Sequence, residues 1–169
     1  GYMNLHPRWS PEGDRVAFLT NVASDYSRTA LMVYTIEDST KKSGGPARTA
    51  FDWDATGDKL IFSKHSKPNK HGSRYWDLHS VTLSDSTGLS AWQSLRSTVG
   101  LSSSELSRYK KLTNGGRAAH PHYSPDESMI VYVCNQGGTN NLSVLDVSTG
   151  QTRQLTQFAD GTQVHTPDW

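Results

Sequence analysis

The sequence predicts an all-β fold of three four-stranded antiparallel units, because of a repeated motif, strand-like periodicity and regularly spaced turn residues. An aromatic residue followed by a tight turn and an apolar strand recurs at Trp9, Trp53 and Tyr123, and a fourth copy begins at Trp169. These aromatics are 44, 70 and 46 residues apart. Two of the intervals match the length of a β-propeller blade, and the long one indicates an insertion. The fold class predicted is therefore a β-propeller segment of three blades.

Each copy of the motif predicts a β-hairpin. Apolar residues alternate after the turn, as at Leu60 and Phe62, which is the period of a strand. The turn itself carries glycine at Gly13 and Gly57, where a positive φ is expected. Glu127 stands at the corresponding position of the third copy. A side chain at that position predicts either a different turn geometry or some backbone strain there.

The repeat divides the chain into blades that together form one propeller segment. The predicted bounds are residues 1–50 for the first blade, 51–118 for the second with an insertion at 84–107, 119–160 for the third, and 161–169 for the start of a further blade. The outer strand of the first blade is predicted at residues 47–50, after a turn rich in lysine, serine and glycine.

The repeat also resembles a known family. Trp9-Ser10-Pro11-Glu12-Gly13 and Tyr123-Ser124-Pro125-Asp126-Glu127 are similar to the TolB-type β-propeller repeat, in which an aromatic precedes Ser-Pro-Asp-Gly. The resemblance implies a non-catalytic scaffold or binding module with a protein or peptide partner, in a periplasmic or secreted setting. Two alternatives stay open, since the same repeat occurs in the propeller portion of prolyl-oligopeptidase-like hydrolases, and other propellers bind metals or sugars.

Three blades do not close a ring, because propellers close with about four to eight. The sequence therefore predicts either a segment of a longer propeller or a homodimer in which two copies form a six-bladed ring.

Composition excludes several classes of partner. The chain has 169 residues and a net charge of +1, from 17 basic and 16 acidic residues that are interspersed. Such a surface predicts no binding to nucleic acid or to an anionic membrane. No apolar stretch is long enough for a transmembrane helix, and the single cysteine, Cys134, cannot form an internal disulfide.

The candidate binding residues are the variable positions inside the repeated frame. Arg8, Asp52, His122 and Asp168 each precede one of the repeated aromatics, where the loops of a propeller converge near its channel. Trp92, within the insertion, is a further candidate as an exposed aromatic anchor.

No catalytic residue, metal site or cofactor is predicted. The histidine spacings match no zinc pattern, and the sequence has no Gly-x-Ser-x-Gly motif of serine hydrolases. His6 and His120 share one slot of the repeat, which predicts a structural role such as a ring hydrogen bond.

Overall fold

The structure is a computed structural model that describes residues 3–22, 25–47, 50–66, 70–83, 109–135, 137–159 and 161–169. The regular structure of these residues is β-strand, arranged as three antiparallel sheets of four strands each. In every sheet the strands pair in chain order. Within the described ranges no helix has the length and apolar character needed to span a membrane.

The three sheets follow one another along the sequence. The first sheet consists of β1 (Asn4–Trp9), β2 (Arg15–Val22), β3 (Asp25–Thr35) and β4 (Lys41–Pro46). The second consists of β5 (Phe51–Trp53), β6 (Lys59–His65), β7 (Trp76–Thr82) and β8 (Tyr109–Lys111). The third consists of β9 (Ala119–Tyr123), β10 (Met129–Cys134), β11 (Asn141–Asp146) and β12 (Thr152–Gln154). Three four-stranded antiparallel units are thus confirmed, while the insertion at 84–107 lies outside the described residues.

The outer strand of the first sheet lies before the predicted residues 47–50, of which 48 and 49 are outside the described residues. The strand that pairs with β3 is β4, with Met32 opposite Ser43 and Val33 opposite Lys42. The chain reverses earlier than expected because the Thr35 amide donates to the Thr40 carbonyl at 2.9 Å. The lysine, serine and glycine residues assigned to the turn therefore form the strand itself.

The hairpin turn after each repeated aromatic has the same hydrogen bonds in all three sheets. In the first sheet the Ser10 amide donates to the Arg15 carbonyl at 2.9 Å, and the Gly13 amide donates to the Ser10 carbonyl at 3.0 Å. The Ser10 hydroxyl also accepts the Arg15 amide at 3.0 Å. Asp54 replaces this serine in the second sheet and accepts the Lys59 amide at 2.8 Å. The sequence departs from the repeat there, but the short Asp54 side chain has an acceptor oxygen and accepts the equivalent amide hydrogen bond.

Glu127 does not change the turn geometry, so the prediction of a different turn is wrong and the alternative of backbone strain holds. Its φ is 58°, close to the 73° of Gly13 and the 70° of Gly57. A left-handed conformation costs a residue with a Cβ about 1–2 kcal/mol. The Glu127 carboxylate accepts a hydrogen bond from the Ala55 amide in the turn of the second sheet, which offsets part of that cost.

Gly13 and Gly57 provide a matched test of how closely the turns pack. Both have a positive φ, but a Cβ on Gly57 would lie 3.1 Å from Arg15 Nη2 and 3.4 Å from Pro11 Cδ, whereas one on Gly13 would have nothing within 4 Å. We expect Gly57→Ala to lower the free energy of unfolding by about 1 kcal/mol more than Gly13→Ala. Urea denaturation measures both, and equal losses would show that the first two turns do not touch.

The core lies between the sheets, and the second sheet contributes to both of its parts. Along β6, Leu60 and Phe62 face the first sheet, whereas Ile61 between them faces the third. All three side chains are fully buried. Residues from the first and second sheets form one cluster: Ala17, Leu19, Leu31, Val33, Ala47, Phe51, Trp53, Leu60, Phe62, Val81 and Leu83. Residues from the second and third form another: Ile61, Leu78, Ala118, Ile130, Tyr132, Cys134 and Leu145.

A second repeated network fastens the outer strands. The Thr113 hydroxyl accepts the Leu78 amide at 2.9 Å, and the Asp77 carboxylate accepts the Thr113 hydroxyl at 3.2 Å and the Gly115 amide at 2.6 Å. In the third sheet Thr156 and Asn141 form the corresponding bonds at 2.9 Å each. Asp77 is completely buried, and the Lys111 ammonium lies 3.0 Å from its other oxygen.

Asn141 shows which substitution Asp77 should tolerate. Asp77→Asn keeps the oxygen that accepts from Thr113 and Gly115, so we expect a loss of about 1 kcal/mol. Asp77→Ala leaves the Gly115 amide and the Thr113 hydroxyl without that acceptor and should cost about 3 kcal/mol. Thermal and urea denaturation of both variants test this. Equal losses would show that charge, rather than hydrogen bonding, is what Asp77 contributes.

Candidate functional site

A backbone irregularity positions the candidate residues on the first strands of the first and third sheets. His6 and His120 have left-handed φ values of 53° and 52°, and each is followed by a proline. The pairing register of β1 and β9 shifts at these points, which is the signature of a β-bulge. Thr166, at the same place before Trp169, also has a positive φ of 43°. A bulge re-aims the residues that follow it, so it fixes where the next side chains point.

Three of the four predicted residues of the repeat come together in one polar cluster. The Arg8 guanidinium donates to Asp52 Oδ1 at 3.2 Å, and its other terminal nitrogen lies 3.4 Å from His122 Nε2. Asp52 Oδ2 lies 3.7 Å from His122 Nδ1 and accepts the Tyr123 amide at 3.0 Å. Arg8, Asp52 and His122 belong to β1, β5 and β9, so the cluster joins one strand from every sheet.

The repeated tryptophans hold these strands side by side. The Trp53 indole donates to the Arg8 carbonyl at 3.3 Å, and the Trp169 indole donates to the His122 carbonyl at 3.2 Å. Each acceptor is the residue that precedes the aromatic of the neighbouring copy. Trp53 is 6% exposed, but Trp9 and Trp169 are 63% and 52% exposed. An indole therefore bridges neighbouring copies at these two places, whereas between the second and third sheets the Tyr123 amide donates to the Asp52 carboxylate instead.

Two adjoining concavities surround the cluster. The first, the inner cleft, has a volume of about 230 Å³ and is lined by His6, Arg8, Ala50, Phe51, His120, His122, Thr166, Pro167 and Asp168. The second, the aromatic groove, has a volume of about 520 Å³ and is lined by Pro7, Arg8, Trp9, Pro11, Asp52, Trp53, Asp54, Ala55, Tyr123, Ser124, Pro125 and Glu127. Arg8 lines both, so the cleft and the groove lie on either side of its side chain.

The structure thus places Arg8, His122 and Asp168 on the inner cleft and Asp52 in contact with two of them. Trp92 lies outside the described residues.

His6 and His120 also line the cleft, although the sequence suggested only a structural role for them. Their shared slot in the repeat, two residues before Arg8 and His122, is the sequence signal that could have identified them. The expected ring hydrogen bond is absent at the buried His120 Nδ1.

The structure resembles several solved proteins. TolB from Acinetobacter baumannii superposes with a TM-score of 0.60 at 17% sequence identity, over 92% of this chain and 32% of that protein. The β-propeller domain of the Trilobed protease from Pyrococcus furiosus gives 0.57 at 12% identity, over 93% and 44% of the two chains. Oligogalacturonate lyase from Vibrio parahaemolyticus gives 0.52 at 12% identity, over 87% and 36%. The chain folds as a β-propeller segment.

These similarities establish the fold of the propeller segment and leave its activity open. No protein-family model matches the sequence, and no curated protein is significantly similar to it. The segment spans between 32 and 44% of the length of the three proteins. They include TolB, a protease and a lyase, so the fold is shared by proteins of different activity.

Burial lowers the pKa of three histidines in the propeller segment. Removal from water lowers the pKa of His122, and the Asp52 carboxylate opposes this shift while the Arg8 guanidinium adds to it. Burial also lowers the pKa of His120, with further lowering by the charges of His165, His122 and His6. Burial likewise lowers the pKa of His79 in the second sheet. All three histidines are therefore neutral at pH 7.

The propeller segment should lose stability as the pH falls below neutrality. The unfolded chain takes up protons on these histidines near pH 6.5, whereas the folded chain does so only at lower pH, so protonation favours unfolding. We expect a lower free energy of unfolding at pH 5.0 than at pH 7.5 in urea denaturation. His122→Gln should show a smaller difference between the two pH values. A wild-type protein equally stable at both would contradict the burial of neutral histidines.

Proposed function

We propose that this propeller segment is a non-catalytic binding module that takes an extended peptide from a protein partner at the inner cleft. The observation that carries the proposal is the meeting of Arg8, Asp52 and His122, from three different sheets, in one hydrogen-bonded cluster. These positions vary within a frame whose other residues repeat, which is where a repeat protein diversifies its binding surface.

The dimensions of the site favour a peptide over a compact small molecule. The inner cleft, at about 230 Å³, is smaller than typical ligand pockets and has room for a side chain or a chain end. The aromatic groove of about 520 Å³ adjoins it, and Arg8 lines both. Trp9 and the prolines of this groove offer apolar surface along which a peptide backbone could lie.

The internal pairing of the cluster favours binding over catalysis. Asp52 accepts from the Arg8 side chain and from the Tyr123 amide, so its orientation is fixed before a ligand arrives. The Arg8 side chain remains 42% exposed and can donate further hydrogen bonds to a carbonyl or carboxylate. Such preorganised donors lower the cost of ordering on binding.

The proposal includes no cofactor and no metal. Among the described residues, no group of three or more histidine, cysteine, aspartate or glutamate side chains is arranged to hold a metal ion. The resemblance to the TolB-type repeat supports a periplasmic or secreted setting for this module. The peptide partner would then be another exported protein.

Peptide display against the purified chain tests this function. We expect selected peptides to bind in calorimetry and to lose about tenfold or more in affinity with Arg8→Ala, because one charge-assisted contact is worth about 1.5–3 kcal/mol. Asp168→Ala should also alter affinity, since Asp168 is exposed on the inner cleft. Arg153→Ala is the matched control, because Arg153 is exposed on β12 at the outer edge of the third sheet.

The control should leave affinity unchanged, and each variant should unfold at a midpoint close to that of the wild type. Selected peptides that bind the Arg8 and Asp168 variants as tightly as the wild type would contradict the proposal. Failure to select any peptide would contradict it as well.

A further inference from the structure

A further cavity, here called the inter-sheet cavity, lies between the second and third sheets. Its volume is about 240 Å³, and its lining comes from both sheets and from the hairpin turns that follow the repeated aromatics. The volume is below that of pockets for drug-sized ligands, so the cavity has room for a molecule about as large as one amino acid.

The repeat explains why there is space at this junction. Between the first and second sheets, the Arg15 guanidinium lies over the Trp53 ring, 5.6 Å from its centroid. At the next junction Lys59 stands in the place of Arg15, and Tyr123 stands in the place of Trp53. Both replacements are smaller, so they leave room for a ligand between the sheets.

The wall formed by the second sheet carries hydrogen-bond donors. Lys59 pairs with Thr82, and Ser80 pairs with Lys110, so the four side chains project from the same face of the sheet. All four line the cavity. In the described part of the chain, neither ammonium forms a salt bridge with a carboxylate. The two ammonium groups are therefore available to a carboxylate of a ligand.

The hairpin turns contribute two carboxylates to the cavity. Asp54 is buried and accepts hydrogen bonds within its own turn. Glu127 accepts the Ala55 amide through one oxygen, so its other oxygen can accept from a ligand. Burial raises the pKa of Tyr123, and the charges of Asp54, Glu127 and Asp52 raise it further. This end of the cavity therefore favours a positively charged group.

The third sheet provides an apolar wall. Tyr123, Ile130 and Leu145 lie side by side on neighbouring strands, and Ile130 and Leu145 are buried. Val147, two residues beyond Leu145, lines the cavity as well and is 40% exposed. An apolar group that covers these side chains would remove their surface from water.

We propose that the inter-sheet cavity binds a free α-amino acid with an apolar side chain, holding its carboxylate at Lys59 and Lys110 and its ammonium at Glu127. Two lysines and two carboxylates line the cavity, so each end of a zwitterion meets an opposite charge. A ligand with only one of the two charges would leave a like charge facing it. The apolar side chain would lie on Ile130 and Leu145. The inference does not depend on the peptide binding proposed above.

Calorimetric titration with L-leucine tests the assignment. N-acetyl-L-leucine lacks the ammonium, L-leucinamide lacks the carboxylate, and glycine lacks the apolar side chain. We expect L-leucine to bind about tenfold or more tightly than each of the three, because each lacks one of the contacts that the cavity offers.

Two variants with matched controls locate the site. Lys110→Met and Glu127→Gln should each weaken L-leucine binding about tenfold, because each removes one charge but keeps the length of the side chain. Lys41→Met, on the outer strand of the first sheet, and Glu12→Gln, in its first turn, change exposed residues away from the cavity and should bind as the wild type does. Arg8→Ala should also keep L-leucine affinity, although it weakens peptide binding, so the two proposals fail separately.

Glu127→Gln keeps an oxygen for the Ala55 amide, so its thermal midpoint should stay close to that of the wild type. Absence of L-leucine binding to the folded chain at millimolar concentration would overturn the proposal. So would N-acetyl-L-leucine or L-leucinamide that binds as tightly as L-leucine. Unchanged affinity in both Lys110→Met and Glu127→Gln would overturn it as well.

Discussion

The structure depends on the burial of both faces of the second sheet. A four-stranded sheet of this size cannot hide its apolar side chains by itself, and β6 shows the consequence, with Phe62 packed against one neighbour and Ile61 against the other. The first sheet shares one core with the second, and the third sheet shares a separate core with the opposite face of the second. Their mutual orientation is therefore set by what the second sheet presents to each of them.

Packing of this kind brings the first strands of the sheets together and creates the polar cluster. Because β1, β5 and β9 are neighbours, three residues widely separated in sequence, Arg8, Asp52 and His122, lie within contact distance. The bulges before Arg8 and His122, and the hairpin turns after the repeated aromatics, fix the direction of these side chains. The cluster is thus a product of the repeat itself, in which the frame is shared and the residue before each aromatic is free to differ.

The sequence was sufficient to predict the fold class because the same pattern of aromatic, turn and strand occurs several times along the chain. The spacing of Trp9, Trp53 and Tyr123 identified the sheets, and the position before each aromatic identified the cluster. Two features could not be predicted, for physical reasons. Glu127 adopts the left-handed conformation of a glycine because its side chain bonds to the neighbouring turn, a contact between sheets. The location of β4 depends on which hydrogen bonds close the preceding turn, and short polar segments do not specify this locally.

We propose that this propeller segment binds its peptide at the inner cleft formed by the first strands. Mapping backbone amide chemical shifts during titration with a selected peptide tests it most directly. We expect the largest changes at Arg8, His122 and Asp168, with a further change at the Tyr123 amide because it donates to Asp52. Changes concentrated on the outer strands β8 and β12, with the first strands unaffected, would contradict it.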